Sequence, residues 1–600
     1  MTGAGMKEPV PPQQDDASEW SRGAEATSSD GGLFETQHDN EKPADSDREA
    51  QSAARSHLSN HPDEKDDRTN PGGEPQCHAS GQYSPNDEGL TRSETHNSMR
   101  SRSLNLMRSV TSHAHRATGE ITHDPIPETN YAEGIIAWDS QHDPEMPLNW
   151  PIGRKWIQVV DIAAIAVLTP FSSSALAPGI EAMMQEFGVT SEILGSFAVS
   201  IYLLGYSVGP LVLAPLSDMY GRKIVLDMAN IMFCLWQIGS ALSPNIQSLI
   251  VFRFLSGVGG SGCLTLGGGA VGDMFHPEQR GLAAGIWGLG VVIGPTLGPL
   301  VGGYLAATIG WRWTFWVTLI AGATVTACIL TYNRETNYTV LINRKVARMT
   351  KERVSAGEQP TLVSYYRQKP VSNLSLLYGS LTRPTKLLFR SPIIFFISLY
   401  MAFVYGVLYL LYTTIPTVFS TKYGFSTGEG GLVFLSLGFG NIAAWTYITT
   451  QSDKQVVKQT LSNNNVFVPE MRLKIAVWFS CLLPVTFYWY GWVTQFGGSW
   501  PNAVVSLLPF GIGSVGVFAP FTTFLIDCYP SYASSVIAAN TVFRSLFGAF
   551  LPLLGPTLYS DLGLGWGNTL LGLVCTLMIP IPMLFWKFGE RLRARESFNL

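Results

Sequence analysis

From Trp156 onward the chain repeats one unit twelve times: a long apolar run closed by a polar turn. The runs fall near 156–178, 192–215, 222–242, 246–270, 281–307 and 312–333, then near 392–418, 428–450, 474–492, 502–525, 533–558 and 565–588. A helix needs about 20 apolar residues to cross the hydrocarbon core of a bilayer. Inside that core every backbone N–H and C=O must be bonded within the segment or to a neighbour, so each run is read as a helix. The fold class that follows is an all-α membrane protein, two six-helix bundles around a midplane cavity.

The rest of the chain differs sharply in composition. The averages of 46% hydrophobic and 14% charged residues mix two regions. Residues 1–133 are rich in Ser, Asp, Glu, His, Gln and Gly with no apolar period, the composition of a disordered tail. Arg100, Arg102 and Arg108 lie there among serines, which suits either a phosphorylatable regulatory tail or an ordinary disordered chain. Residues 134–155 form an elbow in which Trp138 and Trp150, with Trp156 just beyond, suit a membrane–water interface. The remaining divisions are a first bundle over 156–333, a polar central loop over 334–391, a second bundle over 392–588 and a tail over 589–600. The formal charge of −5 averages an acidic tail with a basic membrane face, so it does not point to nucleic acid. The seven cysteines include no C-x-x-C pair, so neither a metal site nor a disulfide framework is expected. No cofactor is expected either. The G-x-G-x-x-G matches at Gly257–Gly262 and Gly511–Gly516 lie within apolar runs rather than after strands, and read as close helix packing. There is no G-x-x-x-x-G-K-[ST] phosphate loop and no H-E-x-x-H, and an enzyme finds little support.

Charge sets the orientation. One set of connections carries Arg154, Lys155, Arg222, Lys223 and Arg280, a dense basic series through the central loop, and Lys454, Lys458, Arg472, Lys474 and Lys587. The alternate connections carry only Arg312 and Lys422. This asymmetry places both termini and the central loop in the cytoplasm.

Ala214 to Leu226 is the most distinctive connection, a tight polar turn between the second and third runs. Gly221 permits the turn, Arg222 and Lys223 open the next run, and Asp218 can meet Arg222 or a helix N-terminus as an electrostatic latch. The alternative is a topology signal with a solvated acid. Ionisable and polar residues inside the runs are functional candidates because they are costly in lipid. Arg253, in the fourth run, faces either a cavity or the outer interface. Asp161, about a turn and a half into the first, is either a proton carrier or an interfacial acid paired with Arg154 or Lys155. Asn540 and Arg544 share one face of the eleventh run and either bind substrate or lock two helices. Tyr405, Tyr409 and Tyr412 form a stripe on the seventh run, either lining a cavity for aromatic or cationic ligands or simply packing. Tyr202, Tyr206, Gln237, Trp287 and Asn441 are weaker candidates. In the fifth run Gly290, Gly294, Gly298 and Gly302 recur at every fourth position, with Pro295 and Pro299 among them. This reads as a smooth, bendable face, the flexible contact between the two bundles.

These stretches resemble the major facilitator superfamily, in its fungal twelve-span drug:proton antiporter branch, from about residue 136 to the C-terminus. Ala214 to Leu226 is similar to the loop motif G-x-L-a-D-r-x-G-r-k-x-x-l, Leu249 to Ser261 to l-x-x-x-R-x-x-q-G-x-g-a-a, and the fifth-run glycines to g-x-x-x-G-P-x-x-G-G. Asp143–Trp150, Pro469–Leu473, Leu525–Tyr529 and Ala539–Ser545 resemble stretches particular to the branch. The resemblance implies a cytoplasmic latch of Asp218, Arg222 and Asp273, a role for Arg253 in proton coupling, and an antiporter motif that includes Gly294 and Pro295. The chain departs from the pattern at Ala214 and Met219, and reads Arg334-Glu335-Thr336 where Pro-Glu-Thr is favoured.

The function expected is a proton-coupled efflux antiporter for small organic compounds such as drugs, toxins, polyamines or secondary metabolites. It would sit as a monomer in the plasma membrane or the vacuolar membrane, with substrate, protons and lipid as its partners. An importer on the same fold and a non-transporting membrane sensor remain the alternatives. One consequence of the orientation is directly measurable. Asn337-Tyr-Thr339 and Asn373-Leu-Ser375 match the glycosylation pattern, yet a cytoplasmic central loop keeps both free of sugar. A glycosidase-sensitive mass shift that disappears in Asn337→Gln or Asn373→Gln would reverse the topology.

Overall fold

A computed structural model describes residues 126–595 apart from 132, 358–361, 367–372, 464–465 and 530–531. The residues before 126, including Arg100, Arg102 and Arg108, lie outside this range.

The apolar runs are helices, and polar caps set where several of them begin. Ser191 accepts from the Leu194 amide before Glu192–Tyr220, and Asn245 closes a capping box with Ser248 before Ile246–Gly260. Ser391 caps Pro392–Tyr423, whose proline occupies the first turn, where no amide is needed. Gly221, at φ 107°, makes the reversal between Glu192–Tyr220 and Arg222–Ala241. Among the described residues, eleven helical stretches are long and apolar enough to cross a bilayer. The last, Ala533–Arg593, has 61 residues, roughly 90 Å if straight and about three times the hydrocarbon thickness. The helix breaks at Gly563, at φ 72° and ψ 172°, and its length with this break accounts for two crossings, twelve in all among the described residues.

The spans pair in a pattern that repeats with a shift of six. The first packs most closely on the fifth and the seventh on the eleventh; the second packs on the fourth and the eighth on the tenth; the third packs on the sixth and the ninth on the twelfth. The bundles meet where the second span touches the eleventh and the fifth touches the eighth, two contacts that exchange under the same shift. This is the internal two-fold of a repeat-built transporter fold.

The fifth-span glycines lie elsewhere than the sequence suggested. A Cβ on Gly290 would fall 2.9 Å from the Ala163 carbonyl oxygen, and one on Gly294 would fall 2.5 Å from that of Val167. Gly298 and Gly302 abut Phe171, Ser174 and Ala175 in the same way. The glycine face is therefore packed on the first span, inside its own bundle. The bundle-to-bundle contact uses a neighbouring face, where Thr296, Pro299 and Gly303 meet Gly438, Gly431 and Thr427 of the eighth-span region. Pro299 has no amide to give the Pro295 carbonyl, and the Ser174 hydroxyl donates to that oxygen at 2.7 Å.

The ends of the chain also differ from the sequence reading. The central loop contains two helices, Tyr338–Ser355 and Asn373–Arg390, and its strand Val363–Ser364 pairs in parallel with Ile135–Ile136 of the elbow. Amphipathic helices average out in a search for long apolar runs. The elbow tryptophans are covered by protein: Trp138 is 1% exposed, edge-on to Tyr338, and Trp150 is 6% exposed. Lys345 closes this packing by donating to the Ala137 carbonyl at 3.1 Å and pairing with Asp139 at 2.6 Å. The described residues before 134 join the elbow, since the Thr129 amide donates to the Trp138 carbonyl at 2.9 Å. The last helix continues to Arg595, through much of the segment read as a tail.

Gly298→Val would drive a branched side chain into Ser174 and displace it from the Pro295 carbonyl. Overpacking of this kind costs about 1–3 kcal/mol, so the purified variant should melt at lower temperature. Gly281→Ala, with nothing within 4 Å of the new Cβ, should melt with the parent protein. Equal melting of all three would show that the first and fifth spans are not held this closely.

Candidate functional site

Arg253, the eighth residue of the fourth span Ile246–Met274, is 1% exposed. Its Nη2 donates to the Ser173 carbonyl at 2.9 Å and the Val199 carbonyl at 3.0 Å, and Nη1 to the Ser172 carbonyl at 3.3 Å. Ser172 and Ser173 lie in the last turn of Ile152–Ser174, where carbonyls lack helical partners and the helix dipole is negative. The broken end of the first span thus solvates a cation without a carboxylate. The rings of Tyr202 and Phe315 lie 5.4 and 5.7 Å from the guanidinium carbon. Burial this deep answers the choice left by the sequence: Arg253 does not reach the interface.

Ser173 continues the network across the bundle junction. Its hydroxyl lies 2.6 Å from the Tyr409 hydroxyl of the seventh span. Tyr409 packs against Tyr405 and Tyr412, with ring centroids 5.0 and 5.3 Å away. Arg544 of the eleventh span lies over Tyr405 at 4.7 Å and near Phe518 at 5.8 Å. Asn540, one turn earlier, is 3% exposed, and its Oδ1 has no partner among the described residues. Asn441 donates to the Thr296 hydroxyl at 3.3 Å, from the eighth span to the fifth, and accepts from Ser514 at 3.3 Å. The sequence candidates Arg253, Tyr405, Tyr409, Tyr412 and Arg544 therefore meet around one junction.

Asp161 is not part of it. It lies 11 residues before Ser172 on the same helix, roughly 16 Å along the axis, so it does not pair directly with Arg253. It pairs with neither Arg154 nor Lys155: Arg154 lies over Trp150, Lys155 donates to the Leu148 carbonyl, and Asp161 Oδ2 has no partner among the described residues.

At the basic face the expected latch is only partly assembled. Arg222 Nε pairs with Asp273 Oδ2 at 3.0 Å, and its guanidinium lies where a Cβ on Gly269 would be. Asp218 is exposed and holds no ion pair among the described residues. It sits at the C-terminal end of its helix, where the dipole disfavours an acid. The carboxylate at the centre is Glu335, 6% exposed. It accepts from the amides of Arg222 at 2.8 Å, Lys223 at 3.2 Å, Thr336 at 3.1 Å and Asn337 at 3.0 Å. It thereby caps the third span at its electropositive end. Sequence reasoning met Glu335 only as part of a departing motif. Tyr338 donates to the Asp273 carbonyl, and burial, reinforced by the Asp273 charge, pushes its hydroxyl above the usual phenol range.

The second bundle repeats this arrangement. Arg472, at the start of the ninth span, pairs with Asp527 at the end of the tenth and reaches Asp453 of the eighth at 3.5 Å. Arg593 reaches Glu470 at 3.2 Å. The sequence marked the stretches around Arg472 and Asp527 as similar to branch-specific ones; only the fold brings the two side chains together. On the opposite side a cavity of about 830 Å³ opens among Glu181, Gln185, Glu192, Thr413, Thr417 and Tyr559.

Residues 162–552 match the family model described as Major Facilitator Superfamily. The chain belongs to the major facilitator superfamily. Curated relatives cover most of its length. The "MFS-type transporter penM" of Penicillium rubens is 43% identical over 78% of this chain and 91% of its own. The "MFS transporter cpaT" of Aspergillus oryzae is 40% identical over 78% and 93%, and the "Efflux pump radE" of Floropilus chiversii 37% identical over 78% and 86%. The inward-open conformation of the xylose transporter XylE from E. coli aligns with a TM-score of 0.55 at 13% identity, over 74% of this chain and 100% of that one. Its partially occluded inward-open conformation gives 0.54 at 15% identity, over 73% and 98%. This major facilitator protein is a multi-pass membrane transporter of small molecules.

Glu335→Ala would strand four amides at the start of the third span and the segment after the sixth, and should lower the melting temperature of the purified protein by several degrees. Asp218→Asn, which breaks no contact of this kind, should leave it close to the parent value. Equal melting for the two variants would remove Glu335 from the centre of the latch.

Proposed function

We propose that the protein is a proton-coupled efflux antiporter that moves small organic compounds out of the cytoplasm of a fungal cell. The observation that carries this reading is the junction itself. Arg253, wholly buried and without a carboxylate, is joined through Ser173 to Tyr409 of the opposite bundle. A change in either bundle's position therefore alters the environment of a fixed charge, which is what coupling to an ion requires. Asp161 is the candidate proton carrier, a carboxylate in the first span with an unpartnered oxygen. Its distance from Arg253 makes the coupling indirect, carried by movement of the first span rather than by an Asp161–Arg253 ion pair.

The basic face is assigned to the cytoplasm, with both termini, and the plasma membrane is the preferred location, ahead of the vacuolar membrane. In this reading the Arg222–Asp273 and Arg472–Asp527 pairs close the cytoplasmic ends of the two bundles. The cavity on the other side is the exit vestibule. The Gly294-Pro295 motif of the fifth span and the relative named an efflux pump support export over import.

The test is transport by the purified protein in proteoliposomes. Arg253→Ala should reach the membrane and lose proton-driven flux. Lys should restore it incompletely, because an ammonium lacks the planar fork that reaches three carbonyls. Asp161→Asn should flatten the dependence of flux on pH. Normal gradient-driven flux in Arg253→Ala would reject its role in coupling, and an unaltered pH profile in Asp161→Asn would leave that residue an acid of the bundle's edge. Accumulation of labelled compound on the cytoplasmic side would favour an importer.

A further inference from the structure

We propose that the compound carried at the bundle junction is an organic anion, a carboxylate on a flat apolar body, held by Arg544. This rests on reading the junction as the substrate site. The charged side chains described there are two arginines, Arg253 and Arg544, and neither has an acidic partner among the described residues. Arg253 gives its two terminal nitrogens to three carbonyls and leaves only Nε without a partner. Arg544 makes no such bond among the described residues. Its contacts are the faces of Tyr405 at 4.7 Å and Phe518 at 5.8 Å, and its buried Nε has no partner. A guanidinium in a membrane span without counter-charge is costly, and aromatic faces offset only part of that cost. Its planar fork matches a carboxylate.

The surroundings fit the rest of such a molecule. Tyr405, Tyr409 and Phe518 offer ring faces and edges for an apolar body. Asn540 Oδ1, buried and unpartnered one turn from Arg544, would accept a hydrogen bond from a hydroxyl or amide on the same ligand. The tyrosine stripe would ordinarily suggest a cation. Here the face of Tyr405 is already covered by Arg544, so an incoming ammonium would meet a like charge rather than an open ring. Polyamines and other organic cations are therefore disfavoured.

Matched ligand series test this on the purified full chain. Indoleacetate, indoleacetamide and tryptamine share one body and differ in charge, as do naphthoate, naphthamide and naphthylmethylamine. Thermal stabilisation is measured against ligand concentration. The carboxylate of a series should half-saturate at a concentration about tenfold or more below that of its amide, with no stabilisation by the amine. Arg544→Gln should abolish the preference, and Arg544→Lys should keep part of it. The proposal is overturned if the amine stabilises as well as the carboxylate, if no carboxylate stabilises the protein, or if Arg544→Gln keeps the preference. The parent protein's series decides by itself if the Gln variant does not fold. Carboxylate preference without flux driven by a pH gradient would remove the antiport reading and leave the anion. Gradient-driven efflux of the amines alone would do the reverse.

Discussion

A carbonyl oxygen that loses its helical amide in the hydrocarbon core has no water to turn to, and much of this structure follows from how such oxygens are satisfied. The first span ends inside the protein, and its free carbonyls at Ser172 and Ser173 receive the guanidinium of Arg253. The fifth span carries Pro299, and the carbonyl it orphans at Pro295 receives the hydroxyl of Ser174, one residue beyond Ser173. Three adjacent serines thus settle two otherwise costly features, a buried cation and a proline-broken helix. Gly298 is required in this arrangement because any side chain there would occupy the place of the Ser174 hydroxyl. The close packing of the first and fifth spans is the geometric condition for it.

The six-span repeat extends this economy to the charged ends. A helix start carrying Arg222 and a helix end carrying Asp273 meet in the first bundle, and Arg472 and Asp527 meet at the corresponding places in the second. The two clusters are not copies. In the first, Glu335 arrives from the segment after the sixth span and binds the amides of the third span's first turn. In the second, Asp453 reaches the arginine from the eighth span, in the place that corresponds to the exposed Asp218. The first cluster is tied to the central segment, which is in turn bound to the elbow through Lys345 and the Ile135–Val363 strand pair. The second is tied instead to the last helix, where Arg593 pairs with Glu470, and beside it the Tyr529 hydroxyl meets that of Ser391 at 2.9 Å. The two bundles therefore differ most in how their charged ends are connected to the rest of the chain.

The apolar runs determined the helices, their number and their order, because hydrocarbon admits no other economical backbone. The charge asymmetry and the in-span candidates were equally legible: Arg253, the tyrosine stripe and Arg544 stood out as polar groups where lipid would be expected. Side-chain partners were another matter. A period of four glycines says that something approaches closely, not whether it is the first span or the eighth. The first proved to be the partner, because its Ala163, Val167, Phe171 and Ala175 carbonyls follow the same rise. The loop motif marked Asp218 as an acid beside Arg222 in sequence, but the helix dipole and the path of the chain after the sixth span gave the central position to Glu335. The elbow tryptophans carried the signature of a lipid interface, and the amphipathic helix at Tyr338–Ser355 covered them. What the sequence determined by itself was each segment's response to its solvent. What only the tertiary structure decided was which distant groups share a buried space, since that depends on helix packing across more than a hundred residues and leaves no local pattern to read.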